Sequence, residues 1–334
     1  MKVMLAGAAG FIGSNFARKI IDESDWQVLV FDNFGYAANL QSLNDLDSKR
    51  LKIVSGDIAN ATQLSESLDG IDLVVNFAAE SHNDNSLMSP KPFLESNIVG
   101  TFNLLEQARI RGFRYHHIST DEVFGDLELD DPTKFTENSP MNPSSPYSAT
   151  KASSDLLVRA WIRSFEVRAT ISNCSNNYGP RQHVEKFIPR QITNVLQGNA
   201  IKLFGTGQNI RDWIHVDDHN EAVFQIINRG NIGETYLIGA DGEKSNIEIA
   251  MMINELMGRD KGDIEFVRDR QGHDLRYAID SSKIRDELGW EPKRVSIEKG
   301  LEETIQWYTK NTAWWKDQKK ATELFYKQLE KQRQ

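Results

Sequence analysis

Short apolar runs alternate with longer segments of helical periodicity through the first half of the chain. The apolar runs cover 3–6, 27–31, 51–54, 73–77, 116–118 and 169–171, with a later one at 234–239, and helical spacing marks 14–22, 93–111 and 147–164. Strands that alternate with helices are typical of a parallel sheet with right-handed crossovers. The pattern therefore predicts an α/β fold with a doubly wound parallel sheet, in which ligands bind at the carboxyl ends of the strands.

The alternation becomes less regular after Gly179-Pro180. We expect a dinucleotide-binding unit over 1–179, with later returns to the sheet at about 211–240, and a smaller substrate-binding lobe built mainly from 180–315. The segment 316–334 is rich in Lys, Glu and Gln, and predicts a charged terminal helix exposed to solvent.

Composition narrows the class of protein. The chain has 334 residues, of which 39% are hydrophobic and 26% charged, and a net charge of -9 argues against a nucleic-acid surface. Cys174 is the single cysteine, so no intrachain disulfide is possible and a reducing compartment is expected. Neither a signal peptide nor a membrane-spanning run is evident, and we expect a cytoplasmic protein with no membrane partner and no metal site.

A glycine-rich turn joins the first predicted strand to the first helix. Gly7, Gly10 and Gly13 are spaced G-x-x-G-x-x-G, which lets the backbone turn tightly and approach a pyrophosphate at the helix N-terminus. Asp32 follows Gly13 by 19 residues and ends the second strand, where a carboxylate binds ribose hydroxyls and repels a 2′-phosphate. The motif predicts a Rossmann-type domain that binds NAD rather than NADP. A tight turn with no ligand is the alternative.

Two adjacent carboxylates follow the fifth predicted strand. Asp121 and Glu122 come directly after Thr120, and such a pair suits a general acid and a general base that remove water from a carbon skeleton. The alternative is structural, because Asp and Glu also favour the first turn of a helix.

Tyr147 and Lys151 lie four residues apart, on one face of a predicted helix. Tyr147 can take the proton of a sugar hydroxyl that Thr120 also binds, which serves oxidation of a secondary alcohol. We expect Lys151, together with the positive nicotinamide ring, to lower the pKa of Tyr147. A core tyrosine beside a solvated lysine is the alternative.

The chain resembles the dTDP-glucose 4,6-dehydratases of the extended short-chain dehydrogenase/reductase family. The resemblance extends from Met1 to about Trp315 and rests on the segments 7–13, 78–82, 119–125, 145–151, 175–180, 211–213 and 270–274. It implies Tyr147 as base at the C4 hydroxyl, Asp121 as acid at the C6 hydroxyl and Glu122 as base at C5. NAD would take the C4 hydride and return it to C6.

The expected binding residues form two groups. Asp57 and Ile58, at the end of the third strand, suit an adenine contact. The cofactor group is Gly7, Gly10, Phe11, Ile12, Gly13, Asp32, Asp57, Ile58, Ala78, Ala79, Ser96, Tyr147, Lys151 and Asn177. The group implied for the nucleotide diphosphate sugar is Ser81, Thr120, Asn176, Lys186, Arg211, Asn246, Arg270 and His273. The resemblance also implies a homodimer joined through 93–111 and 147–164, and dTDP-rhamnose synthesis as the commonest setting.

Some positions depart from the family pattern. Better-known members continue the Ser-His of 81–82 with Val-Asp-Arg, whereas this chain has Asn83, Asp84 and Asn85; Gln271 replaces a usual proline, and Asn173 stands where arginine is common. A UDP-glucose 4,6-dehydratase, a UDP-sugar 4-epimerase and a non-catalytic nucleotide-sensing protein remain alternatives. Epimerases lack the carboxylate pair, and sensing proteins tend to lose the Tyr or the Lys.

Overall fold

The central sheet is formed by parallel strands. The computed structural model describes residues 1–47, 49–269 and 272–332, and within them seven parallel strands lie in the order β3-β2-β1-β4-β5-β6-β10. Their bounds are β1 Lys2–Ala6, β2 Gln27–Asp32, β3 Leu51–Ser55, β4 Leu73–Asn76, β5 Arg114–Thr120, β6 Ala169–Cys174 and β10 Thr235–Ile238. The predicted doubly wound α/β fold is confirmed.

Helices cover both faces of this sheet, because successive strand residues point to opposite sides. In β1, Val3 and Leu5 pack with Phe16 in one apolar core, whereas Met4 packs with Leu104 in the other. The covering helices are α1 Phe11–Glu23, α2 Ala61–Ser67, α3 Asn83–Met88, α4 Lys91–Phe93, α5 Gly100–Arg111, α6 Pro146–Phe165, α8 Val216–Arg229 and α10 Ser282–Leu288, with a π-helical segment, Leu94–Val99, between α4 and α5.

Two smaller sheets and four further helices form a separate core. β7 (Asn176–Tyr178), β9 (Ile210–His215) and β11 (Glu243–Ser245) make one sheet, and β8 (Ile201–Phe204) with β12 (Ile264–Val267) makes the other. The helices are α7 Phe187–Leu196, α9 Asn246–Leu256, α11 Ile297–Lys310 and α12 Thr312–Gln332. Tyr178, Ile192, Ile253, Leu301 and Trp315 are buried together there. The proposed boundary between the two lobes at 179–180 stays a prediction.

The segment 211–240 returns to the central sheet through β10, whereas β9 lies in a smaller sheet. The expectation for the C-terminal segment needs correction. The C-terminal segment is helical, but it is not wholly solvated: Lys319 and Tyr326 on α12 are 1% and 6% exposed. No helix among the described residues is long and apolar enough to cross a membrane.

Candidate active site

The glycine-rich loop lies where β1 ends and α1 begins. Gly7 has φ +76°, and a Cβ there would come 2.4 Å from the Cα of Ala78. A Cβ on Gly13 would come 2.6 Å from the Cα of Ala8. Glycine is therefore required at both positions, since it permits the left-handed turn and the close approach of loop to helix and strand.

Asp32, the last residue of β2, stabilises this loop through two hydrogen bonds. Its Oδ2 accepts a hydrogen bond from the Ala9 amide at 2.9 Å and its Oδ1 accepts one from the Phe34 amide at 2.8 Å. Burial raises the pKa of Asp32, although the hydrogen bonds from Ala9 and Phe34 oppose the shift. The carboxylate thus fixes the loop while lining the cleft beside it.

One cleft at the carboxyl ends of the strands collects every residue predicted to hold the cofactor. Those lining residues are Gly7, Gly10, Phe11, Ile12, Gly13, Asp32, Asp57, Ile58, Ala78, Ala79, Ser96, Tyr147, Lys151 and Asn177. Ser96 reaches the cleft from the π-helical segment, a form of backbone that is frequent at functional sites. Sequence reasoning assigned no role to several other lining residues. Ser119 and Ser175 lie in segments that carry the resemblance, whereas Tyr36 and Gln182 lie outside them.

The polar atoms of the cleft fit a dinucleotide. Among the described residues, the Oγ atoms of Ser119 and Ser175 and the Oδ1 of Asn177 are buried without a hydrogen-bond partner in the protein. Buried polar atoms are costly unless they are bonded, so these atoms suit a polar ligand. A glycine-rich turn with no ligand would not need them, and the donor and acceptor set fits NAD.

Thr120, Asp121 and Glu122 lie where β5 ends in a short 3₁₀ helix, Asp121–Phe124. Thr120 caps that helix, its Oγ1 accepting from the Glu122 amide at 3.3 Å. The carboxylates therefore do occupy a first turn, but they also line the cleft. The capping interpretation alone does not explain this second fact.

Asp121 is buried, and one of its oxygens, Oδ2, has no partner among the described residues. Burial raises the pKa of Asp121 well above its ordinary value, and the negative charges of Glu122 and Asp212 raise it further, against an opposing effect of Arg211. Burial and the neighbouring negative charges therefore favour the protonated form of Asp121, which suits a general acid.

Tyr147 and Lys151 lie in the first two turns of α6. The helix begins with a capping box, in which Ser145 and Ser148 each bond the other's backbone. Lys151 donates from Nζ to the Ile118 carbonyl at 2.7 Å, across to β5. This contact fixes the lysine beneath the strand end.

The predicted lowering of the Tyr147 pKa is not found in the protein alone. Burial raises the pKa of Tyr147 well above its ordinary value, the charge of Glu122 adds to the effect, and a hydrogen bond with Thr120 opposes it. Lys151 does not offset the loss of hydration, and burial lowers its own pKa. The expectation that Lys151 and the positive nicotinamide ring together lower the pKa of Tyr147 stays a prediction.

Asn83 is a contact that the sequence did not predict. The first residue of α3, it donates from Nδ2 to Glu122 Oε2 at 3.0 Å. The departure from the usual Val-Asp-Arg was the available signal, since it places a polar side chain where an apolar one is common.

The predicted sugar-nucleotide residues divide into two sets. Ser81, Thr120, Asn176 and Lys186 line the cleft, and Lys186 donates to the Ser81 carbonyl at 2.7 Å. Arg211, Asn246 and His273 do not line it. Arg270 lies outside the described residues, as does the departure at Gln271.

The residues outside the cleft have defined surroundings. Arg211 donates to the Asp274 carbonyl at 2.9 Å and lies over the ring of Tyr277, 4.3 Å from its centroid. Asn246 opens α9, and His273 contacts Asp269 at 2.7 Å. The charge of Arg211 nevertheless acts on Asp121. The predicted contacts of Arg211, Asn246 and His273 with the substrate stay predictions.

Comparison with known proteins assigns the family. Residues 4–304 match the model of a family described as GDP-mannose 4,6 dehydratase. The dTDP-glucose 4,6-dehydratase of Mycobacterium tuberculosis is 56% identical over 98% of this chain and 99% of its own, and that of Mycolicibacterium smegmatis is 55% identical over the same shares. This chain belongs to the dTDP-glucose 4,6-dehydratase family. The resemblance predicted from the sequence is confirmed.

Solved structures of the family agree. A dTDP-glucose 4,6-dehydratase from Streptomyces venezuelae, solved with NAD, is 43% identical, covers 95% of this chain and 100% of its own, and has a TM-score of 0.91. A UDP-glucose 4-epimerase from Thermotoga maritima has a TM-score of 0.86 but only 26% identity, over 93% of this chain and 100% of its own. The epimerases share the fold, whereas the dehydratases share far more of the sequence.

Proposed function

We propose that this protein removes water from dTDP-glucose to give dTDP-4-keto-6-deoxyglucose, with NAD as its cofactor. The observation that carries the proposal is that Asp121, Glu122 and Tyr147 line the same cleft as the glycine-rich loop. Oxidation of an alcohol needs one base, whereas removal of water also needs a base at carbon and an acid at the leaving hydroxyl. Membership of the dehydratase family supports the same substrate.

The first stage is oxidation at C4. Bound NAD supplies the redox chemistry, since it accepts the C4 hydride and later returns it to C6. Tyr147 takes the proton of the C4 hydroxyl, and Thr120 binds the same oxygen. Because burial favours neutral Tyr147, the positive charge of the bound nicotinamide and of Lys151 must assist its ionisation when the ligands are present.

The second stage is loss of water across C5 and C6. The C4 ketone acidifies the C5 proton, which Glu122 removes. Asp121, whose protonated form is favoured by burial, gives its proton to the C6 oxygen as the C–O bond breaks. When hydride reaches C6, Glu122 returns a proton to C5, and the proton gained by Tyr147 restores Asp121 through solvent. The sugar is neither oxidised nor reduced overall.

The cleft also carries groups suited to the nucleotide diphosphate. Lys186 provides a cation, and Ser81 and Asn176 provide hydrogen-bonding groups beside it. The Oδ1 of Asn176 is buried without a partner among the described residues, which favours a ligand contact. Arg211, Asn246, Arg270 and His273 complete the proposed set.

A panel of nucleotide sugars tests the substrate. The protein is incubated separately with dTDP-glucose and UDP-glucose, and mass spectrometry measures loss of water. We expect the fastest loss with dTDP-glucose. Loss of water only from UDP-glucose would favour the UDP-glucose 4,6-dehydratase alternative, a change of C4 configuration without water loss would favour an epimerase, and binding without turnover would favour a sensing protein.

We also propose a homodimer formed through α5 and α6. These helices pack on each other and present exposed apolar side chains: Val99, at the end of the preceding π-helical segment, and Phe102, Leu156 and Phe165 are 44%, 42%, 56% and 47% exposed. A cluster of exposed apolar side chains of this kind commonly marks a protein interface.

We also propose a cytoplasmic location, which rests on the single cysteine, and a role in dTDP-rhamnose synthesis, which rests on the family.

A further inference from the structure

We propose that Asn83 is a positioning residue for the elimination step, because it holds the side chain of Glu122 in place. The proposal rests on the role of Glu122 as the C5 base proposed above. Asn83 contacts Glu122 directly, with 3.0 Å between its Nδ2 and Glu122 Oε2. Asn83 is the first residue of α3, whereas Glu122 lies in the 3₁₀ helix Asp121–Phe124, so the bond joins two separate elements.

The orientation of the Asn83 amide follows from its second contact. Ser145 Oγ lies 2.9 Å from Asn83 Oδ1, and the neighbouring Ser148 hydroxyl donates to the Ser145 carbonyl at 3.1 Å. The Ser145 hydroxyl can donate a proton, whereas a carboxylate only accepts, so the amide oxygen is assigned to Ser145 and the NH₂ group to Glu122. An amide that accepts from Ser145 must present its NH₂ group to the carboxylate.

This orientation has a chemical consequence. A donor bonded to Oε2 fixes the direction of the carboxyl group that accepts the C5 proton. The same bond restricts the rotation of the Glu122 side chain and leaves Oε1 as the oxygen assigned to C5. Asn83 is not among the residues that line the cleft, so its effect on the C5 proton is exerted through Glu122.

The network also joins the two stages of the reaction. Ser145 is the N-cap of α6, the helix that carries Tyr147 and Lys151. Asn83 therefore bridges the base of the second stage to the helix of the first. An apolar residue at position 83 could make neither bond, so this link is a property of this chain.

The test uses Asn83→Leu, which keeps the branching of the side chain and removes both hydrogen bonds. When dTDP-glucose is added to the NAD-loaded protein, the absorbance of reduced NAD measures the rate of C4 oxidation. We expect this rate to stay near that of the unaltered protein. Deuterium exchange from solvent measures the rate of proton removal at C5. This rate should fall roughly 10- to 100-fold, as expected for loss of a hydrogen bond to a charged group. Asn83→Asp, with the same shape but no amide donor, should show the same split.

Leu87→Asn is the matched control, because Leu87 lies on the same helix with a side chain 43% exposed, and its substitution should leave both rates unchanged. Equal loss of both rates in the Asn83 variants, or no loss at C5, would overturn the inference. In the double variant with Glu122→Gln, the Asn83 change should have little further effect. If the unaltered protein removes no water from dTDP-glucose, the proposed function fails. If it does and Glu122→Gln also dehydrates normally, the role of Glu122 as C5 base fails; if Glu122→Gln is slow and Asn83→Leu dehydrates normally, only the present inference fails.

Discussion

At the scale of single residues, burial decides how the two carboxyls divide their roles. Asp121 is buried and has one unpartnered oxygen, whereas Glu122 is only partly buried and is bonded by Asn83. Neighbouring carboxyls in unlike surroundings can serve as acid and base at the same pH. The short sequence Asp121-Glu122 shows the pair, but not which member is enclosed.

The raised pKa of Asp121 predicts a pH dependence. The proton that Asp121 donates is present while the pH is below its raised pKa and is lost as the pH rises through that value, so elimination should slow in alkaline solution. The raised pKa of Tyr147 predicts the opposite for C4 oxidation, because the base form is gained with pH. Rapid mixing at a series of pH values separates the two rates. A common pH profile for both would contradict the assignment.

The contacts of Asp32 predict that this carboxylate is required for tight binding of NAD. Asp32→Ala removes a carboxylate that bonds the amides of Ala9 and Phe34, so the glycine-rich loop loses its support as well as a ribose contact. Loss of charge-assisted bonds should weaken NAD binding by about 1.5–3 kcal/mol. Calorimetry measures the affinity, and Asp45→Ala, which removes an exposed ion pair with Arg18, serves as control. Equal NAD affinity in both variants would remove Asp32 from the site.

At the scale of elements, α12 shows what the sequence could and could not predict. The short apolar runs predicted the strands of the central sheet, because a buried strand can be recognised from the apolar residues of its own segment. The buried face of α12 includes Lys319, which donates to Asn194 at 2.6 Å and to Glu323 at 2.7 Å. A charged residue becomes compatible with burial only through partners distant in the chain, which no local pattern reveals. The same reason explains why Arg211 was not placed against Tyr277.

The ion pairs that Glu323 on α12 makes with Arg190 and Lys319 predict that the stability of the fold falls in acid. Burial alone would raise the pKa of Glu323, but the bonds from Arg190 and Lys319 lower it to about 2. The stabilisation is therefore present above the ordinary carboxyl value of 4.5 and is lost as pH falls toward 2. It is on the order of 3 kcal/mol. Thermal unfolding should show Glu323→Gln less stable at pH near neutral, with the difference shrinking in acid.

Asp317→Asn is the control for this prediction, since Asp317 lies on the same helix with a side chain 93% exposed. Its unfolding temperature should match that of the unaltered protein throughout. A constant deficit of Glu323→Gln across the acid range would show that the ion pairs contribute nothing to stability.

At the scale of the whole molecule, the exposed apolar face of α5 and α6 predicts self-association. Phe102→Glu places a charge on a face that a dimer would bury, and should yield monomers in analytical ultracentrifugation. Ile232→Glu, at a residue 43% exposed elsewhere on the surface, should leave the dimer intact. Dimers in both variants would place the interface on another face, and monomers of the unaltered protein would refute the proposal.

The most direct test of the account separates oxidation from loss of water. Asp121→Asn and Glu122→Gln keep the shape of each side chain but cannot exchange protons as carboxyls do. Each variant, loaded with NAD and mixed with dTDP-glucose, should develop the absorbance of reduced NAD and retain it while the 4-keto-6-deoxy product forms slowly. Deuterium exchange at C5 should fall most in Glu122→Gln, and Tyr147→Phe should block the absorbance change itself. Normal dehydration by both carboxyl variants would show that the pair only caps its helix, and would contradict the account.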